Sequence, residues 1–85
     1  MGSTQTNIQL GKALRLRRRS LGLSQVQTCD LAGVGPAFLY ELERGKPTVR
    51  LDKVLAVLEV LGLALELREG RPALSVRGEL GETHR

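Results

Sequence analysis

The spacing of apolar residues divides this chain into four helical stretches and an extended tail. Leu10, Ala13, Leu14 and Leu21 recur at helical spacing, predicting a first helix from about Ile8 to Ser20 that Gly22 ends. Ser24 suits an N-cap, so a second helix is expected over about 25–32. Pro36 fits a first helical turn, and a third helix should run from there to Gly45. Lys46 to Arg50 read as a basic loop. A fourth helix follows from about Leu51 to Leu61, with Asp52 near the positive end of its dipole and Gly62 closing it. Beyond Gly62 the period becomes two. Leu63, Leu65 and Leu67 alternate with Ala64, Glu66 and Arg68, which reads as a half-buried strand. Residues 69–72 read as a turn, and 73–77 as a second strand with Leu74 and Val76 inward. The polar ends, 1–7 and 78–85, are expected to be flexible.

The fourth helix is more apolar than one core face requires. Leu51, Val54, Leu55, Leu58 and Leu61 make one stripe, and Val57 and Val60 extend it. A small domain of 85 residues has a limited core of its own, and small monomers seldom expose large apolar patches. The plain reading is an ordinary core helix; the one favoured here is a subunit interface using Val57 and Val60. A lone hairpin is marginal in water, so Leu63, Leu65, Leu67, Leu74 and Val76 are expected to join it by pairing with a second copy.

Residues 25–45, QVQTCDLAGVGPAFLYELERG, carry the most specific pattern. Counting from Gln25, a small residue stands fifth (Cys29) and glycine ninth (Gly33). Apolar residues stand tenth, fifteenth and eighteenth (Val34, Leu39, Leu42). Two short helices crossing steeply need a small side chain at the crossing, and the turn between them favours a residue that tolerates positive φ. The apolar trio then pins the second of these helices to the core and leaves its other face open. This is the spacing of a DNA-reading helix-turn-helix. Charge agrees with it. The net charge is +4, and residues 1–50 hold eight basic and three acidic side chains against five and six in residues 51–85. The basic half is the half with the motif, as a nucleic-acid footprint requires.

Leu10-Gly11, Leu14-Arg15, Arg18, Gly22-Leu23-Ser24-Gln25 and Glu43-Arg44-Gly45-Lys46-Pro47 resemble the phage-repressor-like (Cro/XRE) family of bacterial and phage regulators. The run LYELERGKPTVRLDKVLAVLEVLGLALEL, residues 39–67, looks more narrowly like HipB-type antitoxins, autorepressors encoded beside a HipA-type kinase toxin. The resemblance covers roughly residues 10–68. It implies a mainly α, lambda-repressor-like helix-turn-helix domain over 8–62, with a C-terminal strand or hairpin over 63–77 used in dimerisation. It also implies a bacterial cytoplasmic protein held at the nucleoid by its operator. The expected function is repression by a homodimer bound to an inverted repeat. The expected partners are double-stranded DNA, a second copy of the chain and a HipA-like kinase. Two alternatives stand beside this reading: a Cro/XRE regulator without a toxin, and a protein-interaction module without sequence-specific DNA binding.

Roles follow from place in the motif. The resemblance places Gln25 on a phosphate at the start of the second helix, where the dipole assists. Arg44, Lys46, Thr48 and Arg50 are phosphate candidates at and after the end of the third helix, and Tyr40 joins them through its hydroxyl. Pro36, Ala37, Phe38 and Glu41 are the base-reading candidates. Ala37, or Phe38 if its ring points outward, can touch a thymine methyl, and Glu41 can accept from a cytosine amino group. The other reading of Phe38 and Tyr40 is packing beside Leu39 and Leu42. No Arg, Lys, Asn or Gln stands in this set, so operator deformability would have to supply part of any specificity. Arg18 and Glu43 match family positions that form a salt bridge between the first and third helices. Arg15, Arg17 and Arg19 read as a solvated helix face, with phosphate attraction as a secondary role.

Composition excludes other classes. One cysteine gives no internal disulfide and fits a reducing compartment. With one Cys and one His (His84), no structural zinc site is expected. No apolar run approaches a membrane span, and MGSTQTN has no signal-peptide core. A His–carboxylate–nucleophile set and a phosphate-binding glycine loop are both missing, so neither catalysis nor a cofactor is expected.

Overall fold

The computed structural model describes residues 3–80 and consists of four helices: α1 (Ser3–Ser20), α2 (Gln25–Ala32), α3 (Pro36–Glu43) and α4 (Leu51–Val60). α1 packs on α3, α4 packs on α2, and α2 and α3 form the helix-turn-helix between them. The core is Leu14, Cys29, Leu39, Leu42, Val54, Val57, Leu58 and Leu61, with Leu10, Leu23, Val34, Phe38, Val49 and Leu63 packed around it. Each large side chain withdrawn from water contributes roughly 1.5–3 kcal/mol. Helices of eight to ten residues, as α2, α3 and α4 are, depend on that packing, because isolated helices of such length are marginal.

Helix ends follow local chemistry. Ser24 and Gln27 make a reciprocal cap at the start of α2: the Gln27 N–H donates to Ser24 Oγ (3.0 Å) and the Ser24 N–H to Gln27 Oε1 (2.8 Å). Gly33 ends α2 with φ 71°, and the N–H groups of Gly33 and Val34 both reach the Cys29 carbonyl. Pro36 opens α3 behind Gly35, and the Cys29 thiol reaches the Gly35 carbonyl at 3.6 Å, tying the crossing together.

Three expectations are corrected. α1 begins at Ser3 rather than near Ile8. Its first turns have no apolar period, and contact supplies what pattern lacks: the Asn7 side chain bonds the backbone after α3, and Ile8 lies against Gly45. In α4 the helix is rotated so that Val57 is fully buried in its own chain's core, at 0 % exposure. Leu51 (61 %) and Leu55 (42 %) face outward instead, so the surplus apolar side exists but Val57 is not on it. Val60 is half-buried.

The third correction concerns residues 63–77, which form no strand or hairpin among the described residues. Leu63 returns to the core and Leu74 is half-buried, while Leu65, Val76 and, at 92 %, Leu67 stand exposed. Period-two alternation prepares a segment for a ladder but does not provide the neighbouring strand that a ladder needs. Of the tail expected to be flexible, 81–85 lie outside the described residues. At its start the Ser20 hydroxyl donates to the Leu80 carbonyl at 2.7 Å. Among the described residues no helix is long and apolar enough to cross a membrane.

Candidate nucleic-acid interface

At about 100° per residue, α3 turns Leu39, Leu42 and Glu43 inward and Ala37, Tyr40, Glu41 and Arg44 outward. Pro36 is exposed at the start of the same helix. Phe38 lies off this stripe: its ring packs against the core, and the Lys53 ammonium of α4 sits 5.7 Å from the ring centre. Of the two readings of Phe38, packing is the one the fold adopts. Tyr40 projects outward, and the Arg44 guanidinium covers its ring at 5.3 Å.

Beneath the stripe, a buried network joins α1, α2 and α3. Arg18 Nε donates to Glu43 Oε2 (2.6 Å) and Arg18 Nη2 to Glu43 Oε1 (3.1 Å), a two-pronged ion pair. Arg18 Nη1 also reaches the Leu23 carbonyl at 2.8 Å, between α1 and α2. Gln25 Nε2 donates to Glu43 Oε1 at 3.0 Å. One Gln25 N–H is therefore held from behind, and the amide has a second N–H to offer an anion in front. Among the described residues no buried side-chain polar atom lacks a partner.

The cations after α3 are paired at the surface. Lys46 Nζ meets Glu41 Oε1 at 3.1 Å, and Arg50 holds both oxygens of Asp52, at 3.1 and 2.7 Å. The hydrogen bond from Arg50 keeps the Asp52 carboxyl below its ordinary value, with the Arg50 charge adding to it. Such exposed pairs are weak, so either cation can exchange its carboxylate for a phosphate at little cost. The Glu41 carboxylate that could read a cytosine is the one that Lys46 occupies. Thr48 is exposed between the two pairs.

Between α1, the start of α2 and the end of α3 lies an open groove of about 1200 Å³. Lys12, Arg15, Arg19 and Arg44 bring positive charge to it, with Gln25 and Tyr40 among its lining residues. The spacing of the chain assigns Lys12 no role, whereas Arg15 and Arg19, expected on a solvated face with phosphate attraction as a secondary role, both line the groove. Their 12–15–19 spacing is the available signal, but it becomes informative only once the side of α1 facing the groove is fixed. Arg17 points elsewhere: its Nε donates to the Leu61 carbonyl at 2.8 Å and caps the end of α4. Burial pushes the Cys29 thiol up, with the Asp30 and Glu43 charges adding and Arg18 opposing. Among the described residues no group of three or more His, Cys, Asp or Glu is arranged to hold a metal ion.

Comparison with known proteins agrees with this arrangement. A family model described as a helix-turn-helix domain matches residues 9–70. An uncharacterized HTH-type transcriptional regulator, y4mF, of Sinorhizobium fredii is 38% identical over 63 residues, which cover 74% of this chain and 83% of that protein. The matched span contains all of α2, α3 and α4 and most of α1. The chain belongs to the helix-turn-helix domain family.

Proposed function

We propose that the protein is a sequence-selective, double-stranded DNA-binding transcriptional repressor acting as a homodimer on an inverted repeat. The observation that carries this reading is the continuity of the outward stripe of α3 with the cationic groove beside it. α3 enters a major groove with Ala37, Glu41 and Pro36 toward base edges. Gln25, Tyr40, Arg44, Lys46, Thr48 and Arg50 meet the backbone, with Lys12, Arg15 and Arg19 extending that contact along α1. The chain's likeness to the Sinorhizobium fredii protein, named as a transcriptional regulator, supports the regulatory part. Occupancy of a promoter would then exclude polymerase.

Exposed Leu51, Leu55, Leu65, Leu67 and Val76 support dimerisation, since they form apolar surface without cover in one chain. Pairing of the 63–77 segments between copies would supply the partner strand that a single chain lacks. Two recognition helices related by a twofold axis meet successive major grooves about 34 Å apart. The finer reading is an autoregulating antitoxin of a HipA-like kinase, and it rests on the likeness of residues 39–67 to HipB-type proteins. A regulator without a toxin shares the DNA half of this reading. A protein-interaction module is favoured by two observations, that Phe38 packs against the core and that Glu41 is already paired, which leave few base readers.

The test is binding of the full chain to its own upstream duplex and to a scrambled duplex across a salt series. Binding that persists at moderate salt only on the upstream duplex supports an autorepressor. Equal, salt-sensitive binding to both removes the sequence-selective reading and puts the interaction module ahead.

A further inference from the structure

We infer that Asn7, on the first turns of α1, is a positioning residue that aims the Lys46–Thr48 backbone at a DNA phosphate; the inference rests on the DNA-binding reading above. Asn7 Nδ2 donates to two consecutive carbonyls, those of Lys46 at 2.7 Å and Pro47 at 3.0 Å, across 39 and 40 residues of chain. These carbonyls belong to successive peptide planes, so one side chain fixes both. No peptide bond is cis among the described residues, and in a trans peptide the N–H points opposite to the C=O. With the Pro47 carbonyl drawn toward Asn7, the Thr48 N–H of the same peptide points away from α1.

The surroundings fit this role. Pro47 has no N–H, so the preceding peptide has only its carbonyl to satisfy, and Asn7 satisfies it. No acceptor takes the Thr48 N–H among the described residues. Thr48 is exposed, with the Lys46 and Arg50 cations on either side. An outward backbone N–H, a hydroxyl and two cations make a donor set suited to one phosphate. The seat is firm, because a Cβ added at Gly45 would lie 2.7 Å from Ile8 Cα: α1 and this loop touch backbone to backbone.

The experiment compares the full wild-type chain with Asn7→Ala and Asn7→Asp, the latter carrying no N–H to donate, on the upstream and scrambled duplexes. Both variants should keep the wild-type core fold, losing at most the helical circular dichroism of the first turns of α1 that Asn7 anchors. Each should weaken binding about 5- to 10-fold on both duplexes and make the log K against log salt slope shallower by about 1, as for one lost phosphate. In the Asn7→Ala background, Lys46→Ala should cost less than it does alone. An unchanged slope in both variants, or full additivity with Lys46→Ala, overturns the inference while leaving the DNA reading intact. Wild-type chain that binds neither duplex removes both. Should the variants fail to fold, a ¹⁵N spectrum of the wild-type chain titrated with duplex decides: the Thr48 amide must shift among the strongest, and an unmoved Thr48 amide overturns the inference.

Discussion

Replacing Arg18 by methionine keeps the aliphatic stem and removes the guanidinium, and the consequence can be worked from the network it serves. Arg18 gives two hydrogen bonds to Glu43 and one to the Leu23 carbonyl. The Glu43 side chain is only 3% exposed, so the variant leaves a carboxylate in the interior with a single N–H from Gln25. Breaking a buried pair from one side costs about 3–5 kcal/mol. A chain of this length has about 4–13 kcal/mol of stability in total, so Arg18→Met should be severely destabilised or unfolded at 25 °C. The double variant Arg18→Met/Glu43→Leu should recover most of the loss. An apolar pair of similar volume is often as stable as the ions it replaces; the cost that remains is the Leu23 carbonyl, at about 1–3 kcal/mol, while the half-buried Gln25 amide, which also loses Glu43, can turn to water. Urea unfolding followed by circular dichroism suits a chain with one Tyr and no Trp. A single variant within about 1 kcal/mol of wild type, or a double variant no more stable than the single, refutes the buried-charge reasoning.

Three further outcomes are expected. Gly11→Ala should lower the melting temperature although alanine is the better helix former, because its Cβ would lie 2.5 Å from the Leu42 carbonyl and 2.6 Å from that of Glu43. Overpacking against backbone costs about 1–3 kcal/mol, or roughly 4–8 °C per kcal/mol here, and an unchanged melt rejects that contact. Cys29 should label with iodoacetamide at least about tenfold more slowly in the fold than in urea, since burial both covers the thiol and suppresses its thiolate. Its raised pKa contributes stability present below the unfolded thiol's value and lost as pH rises through the folded one, and native labelling at the unfolded rate counts against this burial. Glu41→Ala should change base preference in a randomised-site selection more than it changes total affinity, and should steepen the salt slope by releasing Lys46. Equal losses on every sequence discard Glu41 as a reader.

What could be read from the sequence was written in short-range chemistry. Ser24 with Gln27, Gly33 and Pro36 set the ends of α2 and α3 within a few residues of themselves, so the turn emerged where the spacing placed it. The remainder depends on contacts the chain makes with distant parts of itself. STQTN has no apolar period, and its helix is held by a loop some 40 residues away. α4 is apolar nearly all round, so nothing local distinguishes Val57, which is buried, from Leu51 and Leu55, which are not. In the arginine run, Arg18 pairs with a carboxylate, Arg17 caps a helix and Arg15 and Arg19 line a groove. Identical neighbours acquire different roles from the direction each faces. The tail shows the converse, a strand-like alternation with no strand beside it.

The alternation of inward and outward residues on α3 has an evolutionary consequence. Leu39, Leu42 and Glu43 specify the fold, while Ala37, Tyr40, Glu41 and Arg44 have their side chains outside the core. Surface substitutions of the latter kind usually change stability by no more than about 0.5 kcal/mol. A duplicated copy of this gene could therefore drift to a new target through a few codons without passing through an unfolded intermediate, and two such copies could share one scaffold in the same cell while ignoring each other's sites.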